Sequence, residues 1–308
     1  GKKTASRTLN RATDTTRQPG STFKIVSTYL PALDSAGLTL ADVHMDEPYN
    51  YEDGRPIKNA NGKFSGICSF REGIRSSINI IAVKTLTQIT PQLGFDYLQN
   101  LGFTTLVTDK VVGDEVFSDI NQSLALGGIT NGVKNEELTA AYAAIANGGV
   151  YNEPILYTKI TDHDGNVIID KTETQQSRRV IKETTSFLLT NAMQDVVTSG
   201  TGASVNFGNM SIAGKTGTTS DYVDVWFAGY TPYYTAATWA GYDNTLTATR
   251  LRTDQEKRLA RNLWRIVMSE IHAELPNESF PTPSGIVTAT VCSQSGKLPV
   301  PGLCDGSK

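Results

Sequence analysis

Three short runs of this 308-residue chain hold residues that could do chemistry together. The first is Ser21-Thr22-Phe23-Lys24. On a helix, positions i and i+3 share a face, so this spacing brings the Ser21 hydroxyl to the Lys24 amine. A neutral lysine can take a serine proton, and burial or a neighbouring cation would keep it neutral. Alone the run says little. Roughly one Ser-x-x-Lys arises by chance in a chain this long, and a capping serine beside a surface lysine reads the same. Its setting strengthens it: Pro19-Gly20 places Ser21 as the N-cap of a helix, where free N–H groups favour a developing anion.

The second run, Ser77-Ile78-Asn79, interrupts a helical pattern. Serine and asparagine compete with helix hydrogen bonds, so a turn between two helices suits them. A hydroxyl and an amide aimed into a cleft could relay a proton and hold a substrate amide. Ser204-Val205-Asn206 fits the same pattern but is set among Gly200, Gly202 and Gly208, and it is taken as a decoy. The third run is Gly214-Lys215-Thr216-Gly217-Thr218. Alternate residues of a strand share a face, so Thr216 and Thr218 can offer two hydroxyls beside a lysine to one carboxylate. Gly217 would let another chain approach closely. A phosphate-binding loop would need glycine at 209, and that position is Asn209.

Other chemistries fit poorly. Lys+Arg number 28 against Asp+Glu 31, a formal charge of −3 that gives no electrostatic case for nucleic acid. Cys68, Cys292 and Cys304 form no CxxC pair; Cys292 and Cys304 flank a Gly/Pro-rich turn, where a disulfide and two free thiols are both open. His44, His163 and His272 have no partners at metal-ligand spacing and read as structural or exposed, so a nucleophile here must be activated without histidine. No metal or organic cofactor is implied. No run of about 18 apolar residues spans a bilayer.

Periodicity places the runs on elements. Apolar residues recur helically over 21–33, then a loop-like stretch covers 41–66. Helical patterns follow from Phe70 to Ile89 with a break at Ser76–Asn79, from Pro91 to near Gly102, within 121–150, over 183–198, and as one long helix over 254–273. A hairpin is expected around Asp164-Gly165. Three strand-like runs occupy 211–219, 223–230 and 234–242, with a short β-like run at 286–291. The layout is α+β, an antiparallel sheet flanked by helices. Residues 1–274 form the main domain and 275–308 a Pro/Gly-rich tail.

Together the three runs match a known signature, Ser-x-x-Lys, a Ser-Asn element and Lys-Thr-Gly, of serine enzymes that recognise β-lactams. Arg17-Gln18-Pro19-Gly20-Ser21-Thr22-Phe23-Lys24 resembles the nucleophile segment of class A penicillin-binding proteins. Gly214-Lys215-Thr216-Gly217-Thr218-Thr219, with Asp224-Val225-Trp226-Phe227-Ala228-Gly229-Tyr230, resembles their Lys-Thr-Gly strand and its neighbour. Ser123-Leu124-Ala125-Leu126-Gly127-Gly128 and AYAAIANGG at 141–149 are similar too, and the likeness runs from Asn10 to Trp239. The tail element around Cys292 and Cys304 resembles C-terminal segments of some members.

The resemblance implies a peptidoglycan D,D-transpeptidase of the penicillin-binding-protein and serine β-lactamase-like fold. Its implied nucleophile is Ser21, with Lys24 as base. Ser77 would relay the proton and Asn79 would orient Lys24 and the substrate amide. Lys215 would lend a cation, Thr216, Gly217 and Thr218 would bind the substrate, and the backbone N–H groups of Ser21 and Thr218 would form the oxyanion hole. Implied partners are stem peptides ending in D-Ala-D-Ala, an amine acceptor, and β-lactam antibiotics. A membrane anchor and a glycosyltransferase domain are expected in the full-length protein, which would act on the outer face of the cytoplasmic membrane. Members have about five sheet strands where three are counted here, so two strands preceding Asn10 are expected to be missing or supplied separately. Serine β-lactamase, D,D-carboxypeptidase and a non-catalytic β-lactam sensor share the runs; the Glu-x-x-Leu-Asn pattern of class A β-lactamases is absent between Ser77 and Lys215.

Overall fold

The computed structural model describes residues 8–243, 250–302 and 304. Three antiparallel strands form the central sheet in the order β1 (Ala213–Thr218), β2 (Asp224–Tyr230), β3 (Thr235–Gly241). All seven residues of β2 are buried, because the sheet is covered on both faces. Trp226, Ala228 and Tyr230 point into the main core, while Phe227 packs with Trp264 on the other face. Strand alternation produces this split, and the aromatic and small residues fit it.

Among the described residues there are eight α-helices: α1 (Leu30–Asp34), α2 (Phe70–Arg75), α3 (Asn79–Ile89), α4 (Pro91–Asn100), α5 (Asn135–Ala146), α6 (Glu183–Thr198), α7 (Asp254–Lys257) and α8 (Leu259–Ile271), of which α5, α6 and α8 pack on the sheet. The α+β expectation and the three strand runs agree with this arrangement. The hairpin around Asp164-Gly165 is present as Lys159–Thr161 paired with Val167–Asp170.

Several expectations are corrected. Residues 41–66 are more than loop: Val43–Asp46 pairs with Gly66–Ser69, and Tyr49–Asn50 with Pro56–Ile57. Residues 254–273 hold two helices, because the chain turns at Arg258 (φ −102°, ψ −1°). The β-like run at 286–291 forms no strand, and its apolar residues find no neighbouring backbone to pair with. Two further antiparallel pairings have no signal in the sequence pattern, the hairpin of Lys110–Val112 with Glu115–Phe117 and the long-range pair of Val150–Asn152 with Ser177–Arg179.

The segment expected as one helix over 21–33 is three pieces. A tight 3-10 turn at Gly20–Thr22 leads into a π-helical stretch, Lys24–Tyr29, and only then α1. The buried Ser27 hydroxyl bonds back to the Phe23 carbonyl at 2.8 Å, which competes with regular helix bonds. Pro31 then removes an N–H that a continuous helix would use. Ser21 is therefore not an N-cap: Pro19 holds that place with no side-chain bond. The tail folds back on the body, with Phe280 against Tyr230 and Lys297 paired to Asp42 at 2.8 Å. Cys292 and Cys304 are joined by a disulfide, which settles the question the sequence left open.

Candidate active site

The three runs meet in one cleft of about 1050 Å³, lined by Ser21, Ser77, Asn79, Thr216, Gly217 and Thr218 among others. Close backbone approach makes the meeting possible. Gly20 has φ +55°, and a Cβ there would stand 2.7 Å from the Thr218 carbonyl oxygen. A Cβ at Gly217 would stand 2.6 Å from the Pro19 carbonyl oxygen, so the expected close approach is by the turn that carries Ser21. Upstream, Gln18 exchanges amide hydrogen bonds with the backbone of Ile129, and the Trp226 indole donates to the Gln18 carbonyl at 2.9 Å. Ser21 is thus pinned by contacts across more than 100 residues of sequence.

Lys24 and Lys215 lie fully buried beneath the cleft. The Lys24 amine reaches the Ser77 carbonyl and Asn79 Oδ1, each at 2.6 Å, and Ser77 Oγ at 3.2 Å. Lys215 donates to Ser77 Oγ at 2.8 Å and to the Thr216 carbonyl at 3.1 Å. Ser77 Oγ therefore bridges the two amines. No hydrogen bond joins Lys24 to Ser21 among the described residues, contrary to the direct contact expected from the i, i+3 spacing. The Lys24 side chain is turned toward Ser77 and Asn79 instead.

No carboxylate pairs with either lysine among the described residues. Burial pushes the Lys24 amine well below its ordinary value, and the Lys215 charge adds to the effect. Burial brings Lys215 down to about 7. A neutral Lys24 keeps two N–H donors for the Ser77 carbonyl and Asn79 Oδ1, and its lone pair is left for a hydroxyl.

Ser77 sits between α2 and α3, as expected, at φ +55°, a left-handed conformation rare for serine. The start of α3 has no cap of its own. Asn59 supplies one, its Oδ1 accepting from the Asn79 amide at 3.0 Å and the Ile80 amide at 3.3 Å. Asp46 in turn accepts from Asn59 at 2.7 Å. Asn79 also donates to the Lys58 carbonyl at 2.7 Å, which fixes which end of its amide faces Lys24.

On β1 the open edge faces the cleft. The Thr219 amide donates across to the Asp224 carbonyl at 3.1 Å. Amide direction alternates along a strand, so the N–H groups of Thr216 and Thr218 point the other way, into the cleft. Thr216 Oγ1 lies 2.8 Å from Thr201 Oγ1, and Thr218 is exposed. Asn59 and Thr201 were missed by sequence reasoning, since neither belongs to a run and both act through distant contacts. The decoy Ser204–Asn206 lies off the cleft, with Asn206 bonded to the Val197 carbonyl at 2.7 Å. None of the three histidines lines the cleft.

Comparison with known proteins agrees with the geometry. The family model "Penicillin binding protein transpeptidase domain" matches residues 1–268. Penicillin-binding protein 1A of Clostridium botulinum is 36% identical over 96% of this chain, which spans 35% of that relative's length. Penicillin-binding protein 1F of Bacillus subtilis is 36% identical over 80% of the chain and 33% of its own length. Among solved structures, Penicillin-Binding Protein 1A from Haemophilus influenzae superposes with a TM-score of 0.81 at 24% identity, over 96% of this chain and 48% of that one. PonA1 from Mycobacterium tuberculosis in complex with penicillin V gives a TM-score of 0.78 at 23% identity, over 96% and 78%. These last two likenesses speak for the fold. With the family match covering residues 1–268, the chain belongs to the penicillin-binding protein transpeptidase family.

Proposed function

We propose that this chain is the D,D-transpeptidase part of a peptidoglycan synthase, acting through an acyl-serine at Ser21. One observation carries the reading: Ser77 Oγ is shared by two buried amines, Lys24 at 3.2 Å and Lys215 at 2.8 Å, in the cleft that Ser21 lines. A neutral Lys24 takes the Ser21 proton as Ser21 Oγ attacks the carbonyl of a terminal D-Ala-D-Ala bond. The backbone N–H groups of Ser21 and Thr218 receive the oxyanion, a term worth roughly 3–4 kcal/mol per donor. The proton passes through Ser77 to the leaving D-Ala amine as the C–N bond breaks. An amine from a second stem peptide then attacks the ester and regenerates Ser21.

Asn79 holds Lys24 and the substrate amide, Thr216 and Thr218 hold the terminal carboxylate, and the open edge of β1 receives the donor peptide as an added strand. A β-lactam enters as a mimic of the donor and leaves Ser21 acylated. The similarity to penicillin-binding protein 1A supports action outside the cytoplasm, as part of a longer protein with an anchor and a glycosyltransferase domain. The Cys292–Cys304 disulfide fits an oxidising compartment. Hydrolytic turnover is the weaker reading. The carboxylates lining the cleft are Asp224 and Asp254, and neither bonds to Ser21, Lys24, Ser77 or Asn79.

Intact mass after incubation with a fluorescent penicillin tests this. Wild type gains one adduct mass, and Ser21→Ala gains none. Absence of an adduct on wild type overturns the function; an adduct retained by Ser21→Ala overturns the nucleophile.

A further inference from the structure

Thr201 lies in the turn after α6, outside every run that the sequence singles out, yet among the described residues its hydroxyl is the one polar side chain hydrogen-bonded to Thr216 from another element, at 2.8 Å. Its backbone is held from several sides. The Thr201 amide donates to the Arg75 carbonyl at 3.3 Å, at the end of α2. Its carbonyl accepts from Arg261 Nη1 at 3.1 Å, from α8. On either side, Gly200 presses on the Arg75 carbonyl, where a Cβ would come within 2.4 Å, and the Gly202 amide donates to the Val196 carbonyl at 2.9 Å. The backbone that carries the Thr201 side chain is thus fixed, and its hydroxyl faces Thr216.

We propose that Thr201 is a positioning residue whose hydroxyl donates to Thr216 Oγ1 and so aims the Thr216 proton at the carboxylate of the acyl donor. The inference rests on the reading of Thr216 as a carboxylate ligand. A hydroxyl has one proton and two lone pairs. Thr216 Oγ1 also lies 3.5 Å from the Lys215 amine, a second donor. With donors on both lone pairs, its proton is left over and turns to the cleft. The reverse order would be unfavourable, because Thr216 would then spend its proton on Thr201 and present lone pairs to a carboxylate. Arg261 acts one step further back, by holding the Thr201 peptide.

The test uses the full chain and two thioester donors that differ only in ending in a carboxylate or a carboxamide. Thr201→Val keeps the branched shape and removes the hydroxyl. It should lower acylation efficiency for the carboxylate donor about fivefold, the effect of one neutral hydrogen bond, and leave the carboxamide donor within about twofold. Thr201→Ser should restore the wild-type ratio of the two donors. An equal loss on both donors, no loss on either, or a serine variant that fails to restore the ratio overturns the proposal. Arg261→Gln covers the case in which Thr201→Val does not fold: a loss confined to the carboxylate donor supports the proposal, and any other pattern overturns it. Thr216→Val separates the two readings. If it removes the carboxylate preference while Thr201→Val does not, only this inference falls; if it spares the preference, the carboxylate site falls and takes the inference with it.

Discussion

Beneath the cleft, Lys24 and Lys215 are wholly buried, while on the far face of the sheet five apolar side chains of α8 stand in water. Leu259, Leu263, Ile266, Val267 and Ile271 are 45–58% exposed, although Ala260, Trp264 and Met268 of the same helix are buried. Both regions depart from ordinary burial, in opposite directions. The cleft floor carries a cost in electrostatic energy, because an ammonium there loses its hydration without gaining a carboxylate. It is held in place by backbone contacts remote in sequence, and the cost is what would let Lys24 serve as the base of the proposed mechanism. The outer stripe of α8 costs far less, since exposed apolar area is common on proteins and the inner stripe already anchors the helix. Strain that is tightly braced points to chemistry; strain that nothing braces points only to a surface.

The sharpest way to break this contrast is Lys24→Met. Acylation of the chain by penicillin should fall by about 10³-fold, as expected for loss of a general base. Stability should change by no more than about 2 kcal/mol, because relief from holding a buried amine unprotonated offsets the acceptors left at Ser77 and Asn79. Adduct formation over time and urea unfolding measure the two quantities on one preparation. A variant that acylates normally removes Lys24 from the mechanism, and one that unfolds outright makes it a structural residue instead.

Lys215 offers a smaller effect, read in pH. Its amine is brought from 10.5 to about 7 in the folded chain, so between those values the unfolded state holds a proton that the folded state lacks. Stability must then rise with pH through that window and gain nothing from this group below about 7. Lys24 is lowered as well and contributes with the same sign. The slope from one such group reaches about 1.4 kcal/mol per pH unit. Lys215→Met should flatten the climb in unfolding free energy between pH 7 and 9. An unchanged slope in the variant would show that Lys215 stays charged when folded.

Much of this was legible in the chain because chemistry and local pattern coincide. Ser21, Lys24, Ser77, Asn79 and Lys215 sit in short runs whose order is itself informative, and β1, β2 and β3 stand out as strand-like runs separated by turns. What escaped depends on long-range contact. The break at Arg258, the π-helical turn after Ser21, the Asn59 cap on α3 and the Thr201 hydroxyl each need a partner 15 or more residues away or a backbone choice that composition leaves open. Amphipathic spacing predicted that residues 254–273 are helical, but it could not tell the braced stripe of α8 from the exposed one. Both stripes are apolar, and only the sheet decides which is covered.

That ambiguity supplies the last test, on α8 alone, and its decisive arm is the smallest effect. Trp264 fills the space against Phe227, with ring centroids 5.0 Å apart, and its indole donates to the Ala236 carbonyl at 3.0 Å. Trp264→Ala should therefore cost about 3–5 kcal/mol, the loss of a fully buried aromatic and the cavity it leaves. Leu263, one residue earlier in the chain, faces outward at 49% exposure. Leu263→Gln and Ile266→Gln together should change unfolding free energy by only about 0.5 kcal/mol, because glutamine suits a helix and little buried area is lost. The same pair of changes should reduce self-association in sedimentation at high concentration, since an apolar patch is what draws copies together. A loss of several kcal/mol in the double variant would mean that the outer stripe is braced after all, and the contrast with the cleft floor would fail at its cheaper end.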